Sequence, residues 1–332
     1  MTDENARIDL TSAQRGIWYA QKIEPDNPTF QIGLYVDIRG PLDVNRMRKA
    51  VATTVAEADS LNVVFGEDEK GPFQKLGPAR SHLLVRDLRT ESSEDPEASA
   101  HALMQEDLET VHDVDEGDLL RSQLFHIGPD HWIFYQRAHH LLVDGYSAIL
   151  VLRRESQVYR ELADQGTASD SPFGSLDDLV AEEAQYRSSQ RFTTDAEFWK
   201  QVRSESETAT GLADRPASPA RRPVTCNADI PRELSSRLAD SRSAPTLILS
   251  AAAAYLHRMT GRESISVGLP VTARRSALSK SVPSMMSKIL PVQLQAAPGM
   301  TSADLVAGAG ATLRETLIHQ RFQYQECARK PR

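Results

Sequence analysis

The segment HHLLVDG, residues 139–145, contains two adjacent histidines and an aspartate, which are residue types that can transfer protons. An imidazole with its usual pKa of about 6.5 can accept a proton at neutral pH. Because adjacent residues on a strand point to opposite faces, we expect one of His139 and His140 to face the core and the other a cleft. Asp144 can orient the site or hold its backbone through an ion pair. Gly145 permits a tight turn and the close approach of a substrate.

The same spacing argues against a metal centre. Histidines on opposite faces of a strand do not readily share one ion, and no cysteine, histidine or carboxylate stands at a convincing interval to complete a ligand set. We therefore expect no metal. The spacing alone leaves open a plainer interpretation, in which one histidine is buried in the core and the other is a hydrogen-bonded loop residue without chemistry.

Two strands and a helix must position this segment. Residues 120–127 and 131–137 read as strands joined by a Gly-Pro-Asp turn, and the second strand leads directly into the histidines. A helix is expected from about Ser147 to Ala163, ended by Gly166. The segment is thus predicted at a crossing from strand to helix, at a sheet edge where reactive groups can reach a cleft.

Helical and strand-like patterns alternate elsewhere, which predicts an α/β chain with a mixed sheet. A helix is expected from Ser12, as its N-cap, to about Ile23. Further helices are expected after the cap Asp43 and over residues 97–111, 245–258 and 302–321, and further strands over residues 33–40 and 263–270. Turn formers at residues 166–175 could separate two lobes, and the polar, proline-rich residues 204–223 are expected to be mobile.

The composition excludes several classes of function. A net charge of −8 over 332 residues argues against a nucleic-acid partner, which needs a concentrated basic face. Cys226 and Cys327 form no CxxC arrangement, which favours a reducing compartment without disulfides or structural zinc. The polar N-terminus lacks the apolar core of a signal peptide, and no apolar stretch is long enough to span a bilayer. We expect a cytoplasmic protein without membrane contact.

The wider context of HHLLVDG resembles a known family. Within YQRAHHLLVDGYS it is similar to the HHxxxDG signature of nonribosomal peptide synthetase condensation domains, which belong to the chloramphenicol-acetyltransferase-like superfamily. The segments AQRGIW, AHALMQEDL and YQRAHHLLVDGYS are similar in sequence to enterobactin-synthetase-type siderophore condensation domains. Further segments resemble the other family motifs in the expected order over nearly the whole chain: LTSAQRGIWYAQ (10–21), AEADSLNVVF (56–65), SLDDLVAEEAQY (175–186), VGLPVTARR (267–275) and LIHQRFQY (317–324).

This resemblance implies a fold, an activity and partners. The fold would be two acetyltransferase-like lobes in a V arrangement, residues 1–170 and residues 171–332. The activity would be amide bond formation, in which the amine of an aminoacyl group attacks an acyl thioester, with siderophore assembly as the finer expectation. Both substrates would arrive as phosphopantetheine thioesters on upstream and downstream peptidyl or aryl carrier proteins. An adenylation domain would be a further partner, and no cofactor would be bound.

The resemblance also assigns roles to single residues. His140 would orient or deprotonate the attacking amine. Gly145 would offer a backbone N–H to the thioester oxygen as it becomes an oxyanion. His139 and Asp144 would be structural supports of the site.

The chain departs from the family pattern in three places. Asn62 stands where related domains carry an arginine, so we expect Arg274, in GLPVTAR, to pair with Asp144 instead. Lys288 stands where related domains carry an asparagine. It would add charge to the wall of the substrate tunnel that the resemblance implies between the lobes, or its side chain would extend outward to solvent. The chain stops at Arg332, where related domains continue, so we expect an incomplete second lobe whose open sheet edge favours association.

Two other functions stay open at this point. The chain could be a catalytically impaired remnant that binds carrier proteins or another partner. It could also be an acyltransferase that uses coenzyme A, as in the wider superfamily. Peptide formation that survives His140→Ala would contradict the catalytic interpretation.

Overall fold

The computed structural model describes residues 6–91, 95–115, 118–205, 211–212, 228–239 and 243–328. The chain divides into two compact units, residues 1–185 with 274–286 and residues 186–273 with 287–332. The predicted lobe boundary between residues 170 and 171 stays a prediction. Cys226 and most of the predicted mobile residues 204–223 lie outside the described residues.

The first unit is built on a mixed sheet. Its elements, in chain order, are β1 (Ile8–Asp9), α1 (Ser12–Ile23), β2 (Gln31–Arg39), α2 (Val44–Glu57), β3 (Val63–Asp68), β4 (Gly71–Leu76), β5 (Leu83–Asp87), α3 (Leu88–Glu91), α4 (Pro96–Glu109), β6 (Leu120–Gly128), β7 (His131–His139), α5 (Gly145–Asp164) and α6 (Leu176–Arg187), with a short helix at Ala277–Ser281. One sheet has the strand order β2-β7-β6-β5, and a second has the order β1-β4-β3. The pairing of β5 with β6 is parallel, whereas β7 pairs antiparallel with β2 and β6, so the mixed sheet is confirmed.

The strand β7 separates two cores because its side chains alternate between the faces of the sheet. Phe134 and Ala138 pack with residues of α2 and α5 in the larger core. Ile133 and Tyr135 pack with Ala100 and Met104 of α4 on the other face. Every residue of β7 after His131 is buried, so any polar side chain in this strand needs a partner inside the protein.

The start of α1 differs from the sequence prediction. The N-cap is Thr11, and Ser12 is already helical. The side chain of Thr11 accepts a hydrogen bond from the backbone of Gln14, and the side chain of Gln14 accepts one from the backbone of Thr11. This reciprocal capping box satisfies two N–H groups at once, which Ser12 as the cap would not do with Arg15 at the corresponding position.

Among the described residues, the second unit contains α7 (Gln190–Glu205), α8 (Arg232–Ala239), α9 (Ala244–Thr260), β8 (Ser264–Val271), β9 (Lys288–Gln295) and α11 (Ser302–Ile318). The label α10 belongs to the short helix Ala277–Ser281 of the first unit. The antiparallel strands β8 and β9 pair over their full lengths. One face packs with α9 and α11 around Ile265 and Val292. Over the described ranges, none of the helices is both long enough and apolar enough to cross a membrane.

Candidate active site

The histidine segment lies where β7 ends and α5 begins, as predicted. The strand ends at His139, and the amide of His140 donates to the carbonyl of Phe30 at 2.8 Å. The amide of Leu142 then donates back to the carbonyl of His139 at 2.9 Å, which closes a turn. The helix α5 starts at Gly145.

His139 is buried, with 1% of its surface exposed. Its Nδ1 accepts a hydrogen bond from the amide of Leu141 at 3.0 Å, so Nε2 carries the proton and donates to Oε1 of Gln21 at 3.2 Å. Gln21 is fixed in turn because its amide nitrogen donates to backbone carbonyls that follow α1. Burial, followed by the charges of His140 and other nearby groups, lowers the pKa of His139 to about 3. This ring is therefore neutral at physiological pH.

His140 is partly exposed and has a different environment. Its Nδ1 lies 3.1 Å from the carbonyl oxygen of Val143, which can only accept a hydrogen bond, so the proton of the neutral ring belongs on Nδ1. The lone pair is then on Nε2. Burial lowers the pKa of His140, while the Val143 carbonyl and the charge of Asp144 oppose that effect. The lowered pKa favours the neutral ring at neutral pH.

Asp144 is the N-cap of α5. Its Oδ1 accepts from the amide of Ser147 at 2.9 Å, and its backbone carbonyl accepts from the amide of Ala148. The N–H of Gly145 belongs to the first turn, whose amides have no acceptor within the helix, and the helix dipole makes this end positive. Gly145 is exposed, and a Cβ added to it would meet nothing within 4 Å. A ligand oxygen can therefore approach this backbone closely.

Arg274 pairs with Asp144, as the sequence analysis predicted. Its Nη1 lies 2.6 Å from Oδ2 of Asp144, and both side chains are 1% exposed. Its Nη2 donates to Oγ of Ser147 at 2.7 Å and to the carbonyl of Ser284 at 2.6 Å. The amide of Met286 donates to the same oxygen of Asp144 at 3.1 Å. This network binds the start of α5 to residues 284–286 of the first unit.

The two substitutions relative to the family pattern have separate local roles. Asn62 donates to the carbonyls of Val55 and Ala58, at 2.6 and 3.1 Å, and so closes the C-terminal end of α2. It also lines a cavity of about 560 Å³ in the first unit. Lys288 is half-buried at the start of β9, and its ammonium donates to the carbonyl of Arg321 within the second unit.

Sequence reasoning missed two buried polar groups that border the segment. Arg137, on β7, is fully buried and pairs with Asp107 of α4 at 3.1 Å. Gln136, its neighbour on the opposite face, donates to Oε1 of Glu155 at 2.7 Å, and burial raises the pKa of Glu155 to about 8. The signal was available, because a Gln-Arg pair in the middle of the buried strand HWIFYQRAH requires partners on both faces.

A metal centre was not expected from the sequence. In the part of the chain that the structure describes, no group of three histidine, cysteine, aspartate or glutamate side chains is arranged to hold an ion.

The fold and the site together define a class of acyltransferase. A mixed α/β unit presents a neutral, partly exposed histidine just before a helix whose positive end is open to a ligand oxygen, an arrangement suited to attack on an acyl carbonyl. A profile of the family described as Condensation domain matches residues 4–332. The chain belongs to the condensation domain family of nonribosomal peptide synthetases, acyltransferases that form amide bonds.

Curated relatives agree with this family. The chain is 32% identical to the dimodular nonribosomal peptide synthase of Bacillus subtilis (strain 168), over 98% of this chain and 14% of the relative. It is 31% identical to enterobactin synthase component F of Escherichia coli O157:H7, over 97% of this chain and 25% of the relative. The chain thus spans a quarter or less of the length of these two relatives.

Solved structures agree as well. The chain is similar to the starter condensation domain of rhizomide synthetase in complex with C8-CoA and Leu-SNAC, with a TM-score of 0.91 and 30% identity, over 97% of this chain and 73% of that one. It is also similar to the first condensation domain of the CDA synthetase, with a TM-score of 0.89 and 30% identity, over 98% of this chain and 77% of that one. The expected mixed α/β fold class is confirmed by these matches to condensation domains.

Proposed function

We propose that this domain joins a carrier-bound acyl thioester to the amine of a carrier-bound aminoacyl group, in nonribosomal peptide biosynthesis. The observation that carries the proposal is the state of His140. Its Nδ1–H is held by the carbonyl of Val143, which leaves an unprotonated Nε2 on a partly exposed ring. That atom is the base that the reaction uses.

In the proposed reaction the amine nitrogen attacks the thioester carbonyl carbon. His140 Nε2 orients the amine and takes the proton that it loses on attack. The tetrahedral intermediate collapses with cleavage of the C–S bond, and the proton passes to the departing thiolate. The products are an amide and a free phosphopantetheine thiol, so protons and electrons balance.

Gly145 supplies the second catalytic contact of the proposal. The developing oxyanion accepts the N–H of Gly145 at the positive end of α5, and the absent side chain leaves room for it. His139, Asp144 and Arg274 touch no reacting atom in this account. They hold the turn and the helix start in place.

The substrates and partners belong to the same proposal. Both thioesters are delivered by peptidyl or aryl carrier proteins, one upstream and one downstream, with an adenylation domain as a further partner and no bound cofactor. Siderophore assembly is the finer proposal, and it is supported by the likeness to enterobactin synthase component F. The site acts in the cytoplasm, where carrier-bound intermediates are made.

The test supplies the chain with an acyl group and an aminoacyl group on separate phosphopantetheinylated carrier proteins and follows the amide product by mass spectrometry. A second arm replaces the acyl carrier by the same acyl group on coenzyme A. The His140→Ala variant is the matched control. We expect amide formation in the first arm and a loss of about 10²-fold or more in the variant.

Each contrary result points to a different function. Turnover with acyl-coenzyme A and none with carriers would identify the coenzyme-A-dependent acyltransferase. Binding of loaded carriers without product, measured by calorimetry, would identify the impaired remnant. Either result contradicts the proposed function.

A further inference from the structure

Two neighbouring polar residues, Gln136 and Arg137, interrupt the buried strand β7 and point to opposite faces. Arg137 shares its face with His139, since the two residues are two apart on the same strand. The guanidinium is therefore on the same side of the sheet as the buried imidazole that precedes His140. A fully buried arginine is costly unless its charge is compensated, so its contacts need a reason.

The contacts of Arg137 fix it beside His139. Its Nε donates to Oδ2 of Asp107 at 3.1 Å, with the two side chains 0% and 5% exposed. Its Nη1 donates to Oε1 of Gln31 at 3.1 Å. Gln31 is the residue that pairs with His139 across β2 and β7. The cation is thus tied to the position next to the imidazole on one side and to α4 on the other.

Asp107 is anchored by more than this one contact. Its Oδ1 accepts from Nη1 of Arg121 at 3.0 Å, and its Oδ2 also accepts from the hydroxyl of Tyr135 at 3.1 Å. A carboxylate with several charged and polar donors has little freedom to move. Arg137 therefore has a fixed counter-charge on α4.

His139 can hold the turn in one protonation state. Its Nδ1 must be unprotonated to accept the amide of Leu141 at 3.0 Å. A proton on Nδ1 would place one N–H against another and break that bond. Leu141 follows His140 directly, so losing the bond frees the backbone that aims the reactive ring.

We propose that Arg137, anchored by Asp107, is a positioning residue that adds to burial in disfavouring a charged His139 and so strengthens the turn that carries His140. This inference rests on the proposed function for its catalytic consequence. A fixed cation disfavours a second positive charge nearby, and among the causes that lower the pKa of His139 the charge of Arg137 follows burial and the charge of His140.

Other charged groups lie around His139 and Arg137. The charged and titratable side chains that act on the ring are His140 on its own segment, Arg137 on β7 and His112 in the loop after α4. Asp107 of α4 accepts hydrogen bonds from both Arg137 and Arg121. Arg121 also donates to Asp107 but is not among the groups that lower the pKa of His139. It therefore provides a matched control.

The test follows the ring carbon and proton signals of His139 and His140 by NMR as the pH falls, in the whole chain. In Arg137→Gln we expect the pKa of His139 to rise by about one unit or more, and the Leu141 amide to exchange faster below that pKa. Arg137→Lys keeps the charge and should restore most of the wild-type titration. Arg121→Gln should leave the titration of His139 unchanged.

A titration of His139 in folded Arg137→Gln that matches the wild type would overturn the proposal. If that variant does not fold, Arg137→Gln combined with Asp107→Asn leaves no unpaired buried charge, and an unshifted His139 there overturns it equally. In amide formation we expect kcat of Arg137→Gln to match the wild type at pH 7 and to fall below it only near the raised pKa of His139, with KM little changed. The NMR arm needs no turnover, so it separates failure of this inference from failure of the proposed function.

Discussion

Two buried arginine–aspartate pairs lie near the histidine segment, and they connect different elements of the first unit. Arg274 and Asp144 join the start of α5 to residues 284–286, which are distant in sequence. Arg137 and Asp107 join β7 to α4, on the face of β7 that also carries His139. The first pair fixes a helix terminus and its open backbone amides, whereas the second places a charge beside an imidazole. A buried ion pair can therefore serve a site by geometry or by its electric field.

The largest effect on stability is expected when the Arg274–Asp144 pair is broken. Asp144→Ala removes the ion pair and the N-cap together and leaves Arg274 buried without its carboxylate. We expect a loss of about 3–5 kcal/mol in the free energy of unfolding, measured by urea denaturation. Asp43→Ala is the matched control, because Asp43 caps α2 from an exposed position and has no buried ion pair to lose, so its removal should cost clearly less. Equal losses in the two variants would show that the ion pair adds nothing.

Glu155 offers a contrast, because its buried carboxyl pairs with no arginine among the described residues and accepts a hydrogen bond from Gln136 instead. Its pKa is raised to about 8 in the folded state from 4.5, so the folded protein holds a proton there that the unfolded chain releases. Stability should then fall as the pH rises from 4.5 to 8. Glu155→Gln keeps an acceptor for Gln136 and should stabilise the protein by roughly 2–3 kcal/mol at pH 8 and very little at pH 4. A gain that is the same at both pH values would contradict this account.

The pH profile of amide formation tests the state of His140. Burial lowers its pKa, so the neutral, active form should persist below the usual value of about 6.5. We expect the acid limb of kcat/KM to lie below pH 6.5, because a buried histidine stays neutral to a lower pH than a free one. His140→Ala should show no such limb in its residual rate. A wild-type limb above pH 6.5 would mean that the ring is stabilised in its charged form.

The smallest effect on stability and on the rate of amide formation is expected from a substitution of Asn62. Asn62→Ala removes the hydrogen bonds to the carbonyls of Val55 and Ala58 at the end of α2, which should cost about 1 kcal/mol in the free energy of unfolding. Because Asn62 does not share a hydrogen bond with Arg274 or Asp144, the rate of amide formation should stay within about twofold. A rate loss without a stability loss would tie Asn62 to the site after all.

The sequence predicted the parts of the site that local chemistry determines. Alternation along a strand is sufficient to bury one of two adjacent histidines, and His139 is the buried one. The pairing of Arg274 with Asp144 was predicted from a missing arginine at position 62, and the two side chains meet at 2.6 Å. Helix and strand positions were close, as for β6 and α5, because their apolar periodicity is strong.

What the sequence could not predict depends on contacts between distant elements. Glu155 reads as an exposed polar residue of an amphipathic helix, yet Gln136 and the larger core enclose it. Asp107 reads as one of several acids on α4, and its pairing with Arg137 depends on where that helix crosses the sheet. At α1, two adjacent hydroxyl residues could each serve as a cap, and the reciprocal bond with Gln14 selected Thr11.

In the proposed mechanism, His140 orients and deprotonates the attacking amine, and the neighbouring residues hold its ring in place. This mechanism is tested most directly by the single-turnover rate of amide formation in His140→Ala, compared with the wild type at equal concentrations of folded protein. We expect a rate lower by about 10²- to 10⁴-fold in the variant. We also expect a free energy of unfolding changed by no more than about 1 kcal/mol, since one hydrogen bond to Val143 is lost. A folded variant that forms amide at the wild-type rate would contradict this mechanism.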